Sequence, residues 1–469
     1  MNYCIIGGGP VGLSLAYVLS QNNKKVTLIE RDEKLGGSWK SEWVDGLYFS
    51  ENSPRVLILN PHMKKFFNQI GMKPKDFSYV YGNYIVMLSK FATFFYKIGF
   101  NLNDLKIFVT DLLFYKQHNH TVKYWLDKRN FSKGGRRAME IFSILMCDRP
   151  DKTNIQSFFS SFKMNGVNEA LKQFKNPDKW HTLVLKHLLD KGAVVYHNTE
   201  VQHIKRVGNR ITSIRCTNKN GEYNIACDKL FLCTGSKNIS NVLSYGDSLI
   251  RNNWISESWI KKWCKETYYI GFGFSLHFDV DVKFPYTWCK FCKNDWTVIA
   301  LPVSNWLEKP SLDNNVKTVW SACIVDVDTK SSFTGKTANE SNKEEVIEEC
   351  LRQIRTTTNI PDPYRITTNS KLRKINGKWV SGKIGFTKNT YGYLPMKGKI
   401  DNLFALGSFT DVGNDVVATF GRSIKAVVTY LNTYEKDLIG FHKNRINKPL
   451  LTSLIIVFII FIIYVKKTN

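Results

Sequence analysis

The stretch Tyr3-Cys4-Ile5-Ile6-Gly7-Gly8-Gly9-Pro10-Val11-Gly12 decides how this chain is read. An apolar run stops on a glycine cluster and then resumes with helical spacing at Leu13, Leu15, Ala16, Val18 and Leu19. Strand, tight turn and helix follow in that order. Gly7 permits the turn, Gly9 lets backbone approach an anion, and Gly12 lets the helix pack close to the strand. Pro10 and Val11 open the helix, whose N-terminal N–H groups face the anion. Val26-Thr27-Leu28-Ile29 forms the next strand and ends on Glu30, about twenty residues on, where a carboxylate can take both hydroxyls of an adenosine ribose. An acid there, rather than an arginine cluster, favours an unphosphorylated ribose.

The next stretch, Arg31-Asp32-Glu33-Lys34-Leu35-Gly36-Gly37-Ser38-Trp39, resembles the flavin amine oxidase and protoporphyrinogen oxidase-like superfamily. In that family a glycine pair follows the ribose acid so that a second loop lies against the FAD pyrophosphate. The resemblance thus adds Arg31, Gly36, Gly37 and Ser38 to the cofactor residues, although Leu35 and Ser38 stand where the family usually has arginines. A second segment is similar as well: Glu200-Val201 opens a strand, Val207 to Ile211 makes a hairpin turn, and Leu230-Phe231-Leu232-Cys233-Thr234-Gly235 closes an apolar strand. It implies nucleotide contacts from Val201, Thr234 and Gly235. A third, Asn402 to Ser408 followed by Ala418-Thr419-Phe420-Gly421, resembles the flavin-binding C-terminal segment and implies Gly407, Ser408 and Thr419, with Asp411 or Asp415 for the acid usual after the glycine. The helix after Gly421 is expected to aim its positive end at the flavin pyrimidine.

What the resemblance implies is noncovalent FAD, since no cysteine follows Cys350 to supply a thioether, and hydride transfer from a substrate to the flavin, which O₂ or another acceptor reoxidises. Relatives place a lysine near flavin N5 and aromatic walls beside the ring. Lys397, Tyr391 and Tyr393 are the candidates here. The substrate is an amine or a hydrophobic, isoprenoid-like small molecule. Two alternatives stay open: a non-redox prenyl-binding protein of the Rab GDP-dissociation inhibitor kind, and an FAD monooxygenase using transient NADPH. No cysteine lies near Gly36-Gly37, which argues against a disulfide reductase.

The fold class is therefore α/β: a Rossmann-like FAD-binding domain with an inserted helical cap, an antiparallel-sheet substrate domain and a C-terminal transmembrane helix. FAD-binding pieces are expected at 1–83, 192–250 and 396–435, with a helical insertion at 84–191 and the substrate domain at 251–395. A basic linker at 436–449 leads to an anchor at 450–465. Within the insertion, Asp104 to Leu113 reads as helix, and Ile85 to Phe100 is aromatic enough either to form a cap core or to rest on a membrane. From Tyr269 the pattern turns to period two, with Phe272, Phe274, Leu276 and Phe278 alternating with Gly273, Ser275 and His277, which predicts one long half-buried strand. His277 falls on its small, polar face, where a solvated or structural role is expected. Trp296 to Val303 and Val316 to Val327 add further strands.

With 469 residues, 43% of them hydrophobic and 23% charged, the chain is globular, not disordered or fibrous. Ten cysteines without a repeated spacing point to a reducing compartment; Cys289 and Cys292 make one CxxC, short of a zinc framework. The 66 Lys+Arg against 40 Asp+Glu leave a net +26, which invites an anionic partner. No zinc framework, aromatic RNA-binding signature or basic low-complexity tail supports nucleic acid. Instead, Leu450 to Val465 is uncharged and bracketed by Lys448 and Lys466-Lys467. At about 1.5 Å per residue it spans roughly 24 Å, enough for a thin bilayer with snorkelling lysines. The start of the chain offers no signal peptide, so a tail anchor with the body facing the cytosol is expected, in endoplasmic reticulum or mitochondrial outer membrane.

Overall fold

The computed structural model describes residues 1–442 apart from 52–54, 58, 80–95, 97, 116–119, 146–148, 156–157, 160–171, 267–270, 285–289, 293–294, 325, 381–392 and 413–419. The proposed anchor, most of the Ile85 to Phe100 patch, Cys289, Tyr391, Asp415 and Thr419 lie outside the described residues. No helix among the described residues is long and apolar enough to cross a membrane.

Strand β1 (Asn2–Ile6) is buried along its whole length and sits at the centre of a parallel sheet. Helix α1 (Pro10–Gln21) returns the chain to β2 (Lys25–Ile29), which pairs with β1 in parallel. The sheet is completed by Val194–Tyr196 beside β2, and by Lys229–Leu232 and Leu403–Ala405 on the other flank. Strands from three distant parts of the chain thus share one sheet. Alternation distributes their side chains between two cores. Ile5, Leu28, Phe231 and Phe404 join one core with α1 and the helices Lys179–Asp190 and Phe420–Tyr434. Cys4, Ile6, Ile29, Leu232 and Ala405 face the other, under the three-stranded meander Glu200–Val207, Arg210–Asn218 and Gly221–Ala226. Burial on both faces explains why these strands read as continuous apolar runs.

Helix Lys179–Asp190 marks a departure from the expected insertion at 84–191. Its Trp180, Val184 and Leu188 pack into the core of α1, and the chain then enters the parallel sheet at Val194. The helix therefore belongs to the nucleotide-binding layer, because its apolar face has the spacing to cover α1. Ahead of it, Leu102–Phe114, Val122–Asp127 and Lys133–Leu145 form a separate helical cluster around Trp125, Phe158 and Leu112. Asp104 and Asp111 are buried there without loss: Asp104 accepts from Asn101 and Ser132, and Asp111 from Trp125 and Arg129.

The second sheet is antiparallel, ordered Lys290–Cys292, Val298–Leu301, Thr318–Ile324, Phe272–Phe278, Arg365–Thr368. The expected half-buried strand is fully buried instead. Phe272, Phe274, Leu276 and Phe278 pack with Val346 and Ile354 of helix Lys343–Arg355, as the period predicts. The polar face is covered too, because the hairpin Glu42–Val44 and Tyr48–Ser50 lies across it. Tyr48 meets the His277 ring edge-on at 5.3 Å, and Thr367 Oγ1 donates to the Phe49 carbonyl at 3.4 Å. His277 is a structural residue: it is fully buried, its Nε2 lies 3.2 Å from Thr367 Oγ1, and burial pushes its pKa down to about 4.

Candidate functional site

Gly7 leaves β1 with φ +111°, and its N–H donates to the Ile29 carbonyl at 2.8 Å. A Cβ there would stand 2.7 Å from the Cys233 carbonyl oxygen, and one on Gly12 would stand 1.9 Å from the Gly7 carbonyl oxygen. Both positions require glycine. Gly9 is the N-cap of α1, with no side chain to accept from the first turn, and Pro10 follows at the helix start. The N–H groups of the first turn are thus left for an external acceptor, with the positive end of the helix dipole behind them.

The second glycine loop is held against the first by backbone. Gly36 N–H donates to the Gly8 carbonyl at 2.8 Å, and a Cβ on Gly37 would approach Gly9 Cα to 2.9 Å. Gly36 and Gly37 both have positive φ, +103° and +56°. Two side chains from helix Lys179–Asp190 and its N-cap brace the outer side. His181 packs behind Gly36, and Asp178 accepts from the Ser41 amide at 2.8 Å and from its hydroxyl. Burial would raise the Asp178 carboxyl, but His181 and Ser41 pull it down to about 2. On the other side the Ser38 carbonyl accepts from Arg55.

Glu30 is half-buried, and its two oxygens accept from Gly8 N–H at 2.6 Å and Asp32 N–H at 2.8 Å. Each keeps a further lone pair for a ribose hydroxyl. Arg31 beside it is exposed. Asp32 is opposed by burial but held well below the usual carboxylate range by Lys371 and Lys40, both 2.7 Å away. Val201 is buried in the strand whose approach is fixed by Thr199 N–H donating to the Glu30 carbonyl at 2.9 Å. Thr234 and Gly235 follow strand Lys229–Leu232 after Cys233, and the buried Thr234 Oγ1 has no hydrogen-bond partner among the described residues. A glycine cradle that Cβ atoms would fill, beside an orphaned hydroxyl, fits a dinucleotide.

At the third strand, Gly407 N–H donates to Thr410 Oγ1 at 2.7 Å, and the Ser408 carbonyl accepts from Arg422 Nε at 2.5 Å. Arg422 is buried in the first turn of helix Phe420–Tyr434, and its guanidinium stands 4.0 Å from the centroid of the Tyr393 ring. Asp411 is exposed. Lys397 pairs through its backbone with Phe404, on the outer edge of the sheet. Tyr393 thus stands beside Arg422 and Lys397 beside Phe404.

Several residues escape a reading by motif: Gly8, Asp178, His181, Lys371, Arg422 and above all the pair Glu51 and Arg55. Glu51 Oε2 accepts from Arg55 Nε at 3.0 Å. Burial pushes the Glu51 carboxyl up, with Arg55 opposing. Their spacing of four was the one signal available. Both line a cavity between the second glycine loop and the antiparallel sheet, walled by Trp39, Phe49, Phe174, Val303 and Leu307.

Residues 5–70 match the model of the NAD(P)-binding Rossmann-like domain. Over 73 residues the chain is 34% identical to the carotenoid 3,4-desaturase of Haloarcula japonica, a match covering 16% of this chain and 14% of the desaturase. Similarity to solved structures runs through the whole fold. An oxidoreductase from Methanosarcina mazei superposes with a TM-score of 0.62 at 11% identity, over 92% of this chain and all of that one. Putrescine oxidase bound to putrescine superposes at 0.60 and 11% identity, over 91% and 97%.

Proposed function

We propose that this chain is an FAD-dependent oxidoreductase of the amine oxidase and desaturase kind, acting on an amine or a hydrophobic small molecule, with FAD held noncovalently. The observation that carries this reading is the backbone contact between the two glycine loops, Gly36 to Gly8 and Gly37 to Gly9, next to a ribose acid. A simple turn does not need two such loops. The likeness of the whole fold to the Methanosarcina oxidoreductase and to putrescine oxidase supports it, as does the short match to the desaturase.

When bound, FAD supplies a ring that takes a hydride equivalent from a substrate C–H and yields the electrons to O₂ or another acceptor. The chain's own part is binding and electrostatics. The first turn of α1 and Gly9 with Gly37 hold the pyrophosphate, and Glu30 takes the ribose, with Val201, Thr234 and Gly235 beside the adenosine. The helix Phe420–Tyr434 places its positive end and the buried Arg422 near the turn Gly407 to Thr410, where they stabilise negative charge. Anaerobic bleaching of the purified protein against amines and isoprenoids tests the reading: reduction by one class is expected, and failure of every hydride donor in both classes contradicts it.

Leu450 to Val465 with its flanking lysines is proposed as a membrane anchor that leaves the body on the cytosolic side. Carbonate washing of membranes is expected to leave the full chain in the pellet and release a chain ending at residue 442.

A further inference from the structure

After helix Phe420–Tyr434 the chain runs along the edge of the parallel sheet at which the strands begin. Asn22, the C-cap of α1, accepts from the Ile439 N–H at 2.9 Å and donates to the Ile439 carbonyl at 2.7 Å, which ties this segment to the end of α1. Helix Lys179–Asp190 ends close by, because its His187 packs against Tyr17 of α1 with ring centroids 4.4 Å apart. From these two helix ends the chain enters neighbouring strands, β2 at Lys25 and Val194–Tyr196 at Val194, which pairs with Thr27. Ile439 and the turns Asn22 to Lys25 and Leu189 to Val194 therefore share the amino edge of the sheet, opposite the carboxyl edge where the glycine loops lie.

That edge combines exposed hydrocarbon with positive charge. Ile439 is 71% exposed, Leu189 56% and Val194 42%, although Leu188, Ala193 and Leu438 beside them are buried. Lys24, Lys25 and Lys191 stand exposed in the same turns and Lys436 just ahead of Ile439, with Asp190 and Asp437 as the acids among them. Apolar side chains ringed by lysines fit a bilayer interface: the hydrocarbon enters the acyl boundary, and the ammonium groups meet anionic headgroups. What selects a bilayer over a protein partner is the chain that follows. Seven residues, 443–449, separate His442 from the apolar stretch at Leu450, and they carry Lys443, Arg445 and Lys448 but no acid. Fully extended they reach about 25 Å, so an anchor in the membrane keeps this edge near the headgroups.

We propose that the amino edge of the parallel sheet is a lipid-docking face, which seats Ile439, Leu189 and Val194 in the surface of an anionic bilayer with Lys24, Lys25 and Lys191 on its headgroups. The proposal rests on the membrane-anchor reading of Leu450 to Val465 and adds an orientation to it. The glycine loops lie the length of β1 away, five residues or about 16 Å, on the side turned from the lipid. Docking and cofactor binding therefore do not compete.

Hydrogen–deuterium exchange of the full chain tests this without flavin or turnover, in detergent and in phosphatidylcholine nanodiscs with and without phosphatidylserine. Peptides covering 22–25, 189–194 and 436–442 are expected to exchange about three- to tenfold more slowly in the phosphatidylserine discs than in detergent. The loop at the exposed Phe333, on the antiparallel-sheet domain, is expected to exchange at the same rate throughout. Reversing the charge with Lys24→Glu, Lys25→Glu and Lys191→Glu together changes only exposed side chains, so the chain stays folded and in the disc while most of the slowing is lost. Ile439→Ser is the second variant, with part of the slowing lost. Equal exchange in detergent and discs, or slowing that ignores phosphatidylserine and both variants, overturns the docking face while sparing the anchor. A chain that never enters the discs removes the anchor reading and the face with it.

Discussion

Glu30 shows how one side chain couples backbone to ligand. Both of its oxygens already accept backbone N–H groups, from Gly8 and Asp32, so the glycine loop and the proposed ribose site share one carboxylate. Glu30→Gln replaces one acceptor by an NH₂ that faces an N–H, at a cost of about 1–3 kcal/mol. FAD affinity is expected to fall about ten- to a hundredfold, measured by titrating apoprotein with FAD; unchanged affinity would remove Glu30 from the site. His277 makes a pH prediction. Its folded pKa of about 4 lies below the ordinary value near 6.5, so the unfolded chain binds the proton first and acid favours unfolding. Stability is full above about pH 6.5 and falls as pH drops towards 4, by at most about 3 kcal/mol from this residue. Urea titrations of His277→Leu are expected to show a flatter loss over that range than the parent; parallel profiles would contradict the assignment.

At the scale of elements, what was legible in the sequence follows physical range. The strand, glycine turn and helix from Tyr3 to Leu19 are local, and Gly7, Gly8 and Gly12 each have a contact that the lack of a Cβ explains. The antiparallel sheet was legible for the same reason, because period two at Phe272 to Phe278 is a property of neighbours. Burial of its polar face was not. That face is covered by the hairpin at Tyr48, more than two hundred residues away, and no periodicity reports such a partner. Glu51 was invisible for the same reason: its burial depends on that hairpin meeting the sheet. The helical cluster around Trp125 is likewise packed on its own, separate from the core around α1. Trp125→Ala is expected to cost about 3–5 kcal/mol by thermal or urea unfolding, while FAD content at low temperature stays near the parental level. Loss of flavin from the folded variant would contradict that separation.

For the whole molecule, the parallel sheet explains how the proposed cofactor site draws on residues near 7, 30, 36, 201, 234 and 407. All but Val201, which opens a strand of the antiparallel meander, stand at the carboxyl end of a parallel strand or in the loop that follows it, where α/β sheets bind ligands. Of the positive charge, net +26, Lys448, Lys466 and Lys467 bracket the apolar stretch proposed as an anchor. The candidates Lys397, Tyr391 and Tyr393 are the least legible part, since a role beside a cofactor depends on that cofactor's position and not on local spacing. All of this depends on the two glycine loops holding FAD. The most direct test is to purify the full chain in detergent, record its visible spectrum, and precipitate it with acid. The account predicts a yellow protein that releases about one FAD per chain into the supernatant and leaves a colourless pellet. A protein that is colourless and takes up no added FAD, or colour that stays in the pellet, would contradict it.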